Sequence, residues 1–243
     1  MKHVALACTL LATACGAVQA QTTVTIYGVL DAGVEHLSSV GGSGSLTRMP
    51  GLGVSVPSRL GFRGTEDLGG GLKAIFTLES GFGTDSGTLN QGGRFFGRQA
   101  FVGLSGDWGS VTLGRQYSML FWSQLDADIL GPNAYGAGSL DSYLPNARVD
   151  NSIAYRGTFN GLTVGATYSF GRDTVNANSP SGTNCAGESA TDKSGCRQWS
   201  AMVKYDASTW GASAAIDEIR GGAGAFAGLN SSDKKDRRTT VAG

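Results

Sequence analysis

Two kinds of connector take turns along this chain, and few architectures can use that order. Segments of about ten residues with alternating apolar and polar side chains are joined by a tight turn, then a long polar stretch, then a tight turn again. The tight turns read Glu66-Asp67-Leu68-Gly69-Gly70-Gly71, Gly106-Asp107-Trp108-Gly109, Thr158-Phe159-Asn160-Gly161 and Asp206-Ala207-Ser208-Thr209. The long connectors cover approximately 38–57, 81–93, 117–147, 171–197 and 220–236. A soluble β-protein has no reason to keep every short turn at one end of its sheet. A membrane barrel does, because its two rims face different compartments. The expected fold class is all-β: a transmembrane antiparallel β-barrel with short periplasmic turns and long extracellular loops.

The period of two is clearest at 162–170, where Leu162, Val164, Ala166, Tyr168 and Phe170 share one face and Thr163, Gly165, Thr167 and Ser169 the other. Trp199, Ala201, Val203 and Tyr205 repeat it, as do Trp210, Ala212, Ala214 and Ile216. Aromatic residues collect at segment ends. Tyr155, Tyr205 and Trp210 lie near tight turns, and Tyr168, Phe170 and Trp199 near long loops. Two such belts fit a sheet that crosses both lipid interfaces. A β-sandwich would instead bury its aromatics in mid-strand and would not sort its connectors by length.

Nine strands are expected, at roughly 23–37, 58–65, 72–80, 94–105, 110–116, 149–157, 162–170, 198–206 and 210–219, with a tenth starting near Arg237. Bacterial membrane barrels have an even strand number and no free edge, because unpaired backbone cannot face hydrocarbon. The reading is therefore an N-terminal portion of a longer barrel, with residues 21–243 as the barrel domain.

Residues 1–20 read as a secretory signal peptide: Lys2 and His3, an apolar stretch from Val4 to Val18, then Val18-Gln19-Ala20. Removing them leaves 18 basic and 19 acidic side chains, so no basic excess points to nucleic acid. It also leaves Cys185 and Cys196, which in one long loop of an exported chain point to a local disulfide. Their spacing without a nearby histidine is weak support for a metal. The single remaining histidine, His36, removes most histidine-based catalysis, and no cofactor motif is present.

If the apolar faces meet lipid, the opposite faces line a lumen. Leu60 and Phe62 then point out and Arg59 and Arg63 in; Val149, Ile153 and Tyr155 point out and Arg148 and Arg156 in. Asp31, Glu35, Lys73 and Glu79 are expected inward as well. Arg98 is ambiguous, sharing its parity with Ala100, Val102 and Leu104 while Phe95 and Phe101 lie opposite. The longest connector carries Asp126, Asp128 and Asp141 and no basic residue before Arg148. Folded into the lumen, it would set these carboxylates against an arginine wall, making a slot with a transverse field. Each arginine taken singly could equally be a solvated strand residue. Paired aspartates in a long loop also raise calcium, but their spacing fits no calcium-loop pattern.

Several stretches resemble the Gram-negative general diffusion porins, in particular the beta-proteobacterial type. They are Val24-Thr25-Ile26-Tyr27-Gly28-Val29-Leu30-Asp31-Ala32-Gly33, Ser58-Arg59-Leu60-Gly61-Phe62-Arg63-Gly64-Thr65-Glu66-Asp67-Leu68-Gly69, Phe96-Gly97-Arg98-Gln99-Ala100-Phe101-Val102-Gly103-Leu104, Leu113-Gly114-Arg115-Gln116-Tyr117 and Asn151-Ser152-Ile153-Ala154-Tyr155. The resemblance implies a sixteen-stranded barrel in the outer membrane, assembled as a homotrimer, with the third external loop folded into the pore. It places Arg98 on the pore wall with Arg59, Arg63 and Arg148, facing the loop acids Asp126, Asp128 and Asp141.

The function implied is a water-filled channel for passive diffusion of small hydrophilic solutes and ions, without cofactor or turnover. The arginine cluster itself points to a lean towards anions, which Asp31, Glu35, Glu79 and the loop acids oppose. A second reading is an adhesion or ligand-binding surface built from the long loops. An outer-membrane enzyme is a third, and the lack of a serine motif and of a usable histidine argues against it.

Overall fold

Strands of the right length and two-faced composition arise wherever the alternation predicts them. The computed structural model describes residues 22–125, 127–131, 135–136, 147–172, 185, 187–225 and 228–243. Within these, β1 (Thr23–Val29), β2 (Glu35–Val40), β3 (Gly44–Arg48), β4 (Arg59–Gly69), β5 (Leu72–Gly81), β6 (Gln99–Gly106) and β7 (Gly109–Tyr117) precede a short helix, α1 (Met119–Leu125). Then follow β8 (Arg148–Phe159), β9 (Leu162–Ser169), β10 (Gln198–Asp206), β11 (Gly211–Arg220) and β12 (Lys235–Ala242). Ten of the strands form one antiparallel sheet in the order β1-β4-β5-β6-β7-β8-β9-β10-β11-β12. Strands β2 and β3 pair only with each other. Among the described residues no helix is long and apolar enough to cross a membrane. Strands of about 9–11 residues suffice to cross when tilted, and β4, β5, β7, β10 and β11 have 11, 10, 9, 9 and 10.

Two adjacent register rows show how the alternation becomes two surfaces. Val102, Leu113, Ile153, Tyr168 and Trp199 stand opposite one another across β6 to β10. All five are exposed, Val102 by 57% and Leu113 by 52%. A continuous exposed apolar band of this kind is the lipid-facing surface of a barrel wall. One step along, Thr112, Ala154, Thr167, Ser200 and Asp217 form the row on the other face, and all five are buried. The polar face is thus the covered one, inverting the layout of a soluble sheet.

The tight turns occupy one end of the sheet and the long connectors the other. Asn160 and Gly161 both take positive φ (49° and 87°), as a two-residue hairpin turn with the sheet's own twist requires. The aromatic belts also form. Tyr205 and Trp210 lie 5.5 Å apart beside one tight turn, and Tyr168 and Phe170 lie 5.3 Å apart beside a long loop.

Several boundaries differ from expectation. The first strand, expected to run to 37, stops at Val29. Asp31 turns out of the wall, and its carboxylate accepts the N–H groups of Val54, Ser55 and Val56 at 2.8, 2.8 and 3.0 Å. That clamp draws the returning chain across the end of β1. Glu35 accordingly sits in the β2–β3 hairpin and not in the first strand of the wall, paired with Arg48 and accepting from the Tyr135 hydroxyl. The strand expected from 94 starts at Gln99, after a turn with Gln91, Gly92 and Gly93 at positive φ. The tenth strand starts at Lys235, two residues ahead of Arg237. Val149 does not face lipid: it is fully buried, because the β7–β8 register shifts between Gly114 and Gln116 and Asn151 adopts φ 47°. A bulge of this kind breaks the period of two on which the expectation rested.

Candidate functional site

The polar face of β1, β4 and β5 presents Tyr27, Arg59, Arg63 and Glu79 close together, because register sets Tyr27 opposite Gly61 and Gly61 opposite Glu79. Gly61 is needed here: a Cβ would come 2.3 Å from Cζ of Tyr27, whose ring lies across the position. The Tyr27 hydroxyl donates to Oε2 of Glu79 at 2.9 Å, and the Arg63 guanidinium sits 5.3 Å from the Tyr27 ring centre. Nε of Arg59 stands 3.9 Å from the same carboxylate oxygen.

Arg98 completes the group from outside the regular alternation. It precedes β6, so pleat parity does not govern it, and its side chain turns onto the polar face. Nε donates to Oε1 of Glu79 at 2.6 Å and a terminal nitrogen to the Tyr117 hydroxyl at 2.9 Å. Arg148 stands opposite Tyr117 in the register. It donates to the same hydroxyl at 3.3 Å and to the Arg98 carbonyl at 3.0 Å, and its guanidinium lies 4.8 Å from the Tyr117 ring centre. Arg59, Arg63, Arg98 and Arg148 are therefore joined through Glu79, Tyr27 and Tyr117. Glu79 meets two of the four guanidinium groups, those of Arg59 and Arg98, while Arg63 and Arg148 face the tyrosine rings, so positive charge exceeds negative across the cluster.

The third long connector enters the same side. Helix α1 lies on the polar face of β9 to β12, over the small residues Gly165, Ser200, Ser213 and Ala215. The Met119 amide donates to Oγ of Ser200 at 2.9 Å, Oγ of Ser213 donates to the Ser123 carbonyl at 2.8 Å, and Ser123 meets Thr240 at 3.0 Å. A Cβ on Gly165 would come 2.4 Å from Sδ of Met119. Met119, Leu120 and Phe121 are buried with Ala154, Met202 and Ala215 of the wall. The helix's aromatic edge turns toward cations: Trp122 lies 4.0 Å from the Arg156 guanidinium, and Phe121 stacks on Tyr117 at 4.2 Å.

Of the loop acids, Asp128 accepts from the Leu130 N–H within its own turn, at 3.3 Å. Asp126 and Asp141 lie outside the described residues. The carboxylate that meets Arg59 and Arg98 is Glu79, which belongs to the wall. Tyr27, Tyr117 and α1 were not singled out from sequence. Tyr27 could have been, since it shares the inward parity of Arg59 and Arg63 across the pairing. Tyr117 and α1 could not, because their place depends on the bulge and on the return path of the loop. A second ion-pair group, Arg94 and Arg115 on Asp150, ties the chain before β6 to the β7–β8 bulge.

At the loop end of the wall, Cys185 and Cys196 form a disulfide with Cα atoms 5.4 Å apart. The Cys196 amide donates to the Gly221 carbonyl at 2.8 Å, and a Cβ on Gly222 would come 2.5 Å from Sγ of Cys196. The bridge thereby fastens this loop to the next. Arg172, outside the strands, is buried, and that burial lowers its pKa despite Asp217, Asp150 and Asp236 nearby.

Residues 7–242 match the model of the Gram-negative porin family. An outer membrane porin protein of Bordetella pertussis is 37% identical over 195 residues, which is 74% of this chain and 51% of that protein. Outer membrane porin protein 32 of Delftia acidovorans is 37% identical over 182 residues, 70% of this chain and 50% of its own length. Among solved structures, an anion-selective porin from Comamonas acidovorans matches with a TM-score of 0.65 at 28% identity, covering 82% of this chain and 58% of that one. The chain spans about half the length of the curated relatives it matches.

Proposed function

The chain belongs to the Gram-negative porin family, and from that premise we propose that it supplies the wall and constriction of a water-filled outer-membrane channel. Small hydrophilic solutes and ions cross by passive diffusion, without cofactor or turnover. The observation that carries this reading is the meeting of the arginine cluster with α1 on one polar face. A loop segment seated inside the wall narrows the passage, and fixed guanidinium groups at its edge favour anions. Asp126, Asp128 and Asp141 act as the opposing acids of the loop. The channel assembles as a homotrimer in outer-membrane lipid, after export through the signal peptide at residues 1–20.

An anion lean follows from the charge balance. Glu79 offsets Arg59 and Arg98, whereas Arg63 and Arg148 meet aromatic rings and have no carboxylate among the ion pairs of the described residues. The relative from Comamonas acidovorans is itself described as anion-selective. Reversal potentials in a salt gradient test the assignment: an Arg63→Ser/Arg148→Ser variant should lose most of the anion preference. The change should be largest at low salt, where screening is weakest. An unchanged reversal potential at low salt would remove the arginine cluster from the constriction.

A further inference from the structure

The apolar row that runs Val102, Leu113, Ile153, Tyr168, Trp199 continues in register to Glu218 of β11 and Arg237 of β12. A carboxylate on the lipid-facing row is costly unless neutralised. Glu218 is only 4% exposed, and it is met by Lys235 at 3.0 Å and by Arg237 at 2.5 Å. Those two cations satisfy it. Arg220 stands off at 4.0 Å and keeps a third of its side chain exposed. Arg220, Lys193 and Arg197 then line a hollow of about 340 Å³ together with Glu218, Tyr168 and Trp199. Lys193 has no ion-pair partner among the described residues, and Arg197 rests against the rings of Tyr168 and Phe170 at 5.7 and 5.6 Å. Positive charge exceeds negative at this rim, and the surplus converges on one opening.

Resting on the outer-membrane reading above, we propose that this hollow holds a phosphate-bearing headgroup of the membrane's outer leaflet. The hollow lies at the loop ends of β9 to β12, beside an interfacial aromatic belt, at the depth where headgroups meet a barrel wall. Guanidinium and ammonium donors suit a phosphate, Arg by its paired N–H groups and Lys as a point charge. The apolar row beside the opening gives acyl chains a surface, which a free phosphate would not use. The Cys185–Cys196 bridge holds Lys193 and Arg197 in place, since one lies inside its loop and the other directly follows it.

Native mass spectrometry of the detergent-solubilised protein tests the site with diphosphoryl lipid A, its dephosphorylated form and inorganic phosphate. Diphosphoryl lipid A should bind, and a Lys193→Ser/Arg220→Ser variant should lose about fivefold in affinity per cation removed. Glu218→Gln should bind more tightly than the parent, an opposite sign that misfolding cannot imitate. Millimolar inorganic phosphate should leave the lipid adducts in place. Equal binding of the two lipid forms, or equal binding by parent and double variant, would overturn the proposal. So would displacement by inorganic phosphate alone, which marks a site for the free anion. Planar-bilayer conductance of the same preparations reads the channel separately: its loss in the parent sinks the channel reading, and lost lipid preference with conductance intact sinks only this site.

Discussion

The polar face divides into two regions with opposite solutions to the same geometry. Strands β4 to β8 carry long cationic side chains, which meet one another through Glu79, Tyr27 and Tyr117. Strands β9 to β12 carry Thr163, Gly165, Ser200, Ser213 and Ala215 beside the uncharged Met202, and on this ground α1 lies flat. The helix backbone lies against the small side chains, and its aromatic residues Phe121 and Trp122 meet Arg148 and Arg156 at the border of the charged side. Among the described residues, α1 is held to the wall by backbone and hydroxyl hydrogen bonds to Ser200, Ser213 and Thr240. Side-chain size, as much as charge, decides where α1 comes to rest.

Breaking the charged half should have the largest effect. Arg98→Ser leaves Glu79 with only Tyr27 and the more distant Arg59, and an undercompensated protected carboxylate costs about 3 kcal/mol. Urea unfolding in lipid vesicles should register that loss, and the reversal potential should move toward cations. Should stability and selectivity both hold, the cluster is not the electrostatic unit described.

Filling the half under α1 should cost less. Gly165→Leu places a side chain where Met119 now sits, and such overpacking costs about 1–3 kcal/mol. The helix should lift and single-channel conductance should change while the charge preference stays. A change of selectivity without a change of conductance would mean that the two halves are not separable in this way.

The smallest effect concerns the rim outside both halves. Backbone donation from Val54, Val56 and Ser55 holds the Asp31 carboxyl below the ordinary aspartate range. A carboxyl with a lowered pKa contributes stability at pH above its unfolded value and loses it as pH falls through the folded one. Hydrogen exchange at residues 54–56 should accordingly quicken only in that acid range. In Asp31→Asn it should be fast throughout, with no acid step; a step that survives the substitution would assign the clamp to another group.

The barrel wall was legible in the sequence because its cause is local. Pleat parity sorts Leu60 from Arg59 and Tyr168 from Thr167, and turn chemistry at Asn160-Gly161 fixes which ends are tight. Parity failed at Val149, where one bulged residue reverses the faces, and at Arg98, which lies just outside its strand. The span of β1 was overrun because Asp31 draws the chain aside through bonds to residues more than twenty positions away. The disulfide between Cys185 and Cys196 was readable from compartment and count, but not that it packs on Gly222 of the next loop.

By itself, then, the sequence determined the period, the order of connectors and the face on which most side chains stand, since these follow from backbone geometry within a few residues. The tertiary structure alone decided that Glu79 answers the arginines, that Tyr117 joins Arg98 to Arg148, and that α1 seats on Gly165 and Ser200. Those contacts join residues up to eighty-one positions apart. Their selection depends on register and on the space left by small side chains, and no local pattern encodes either.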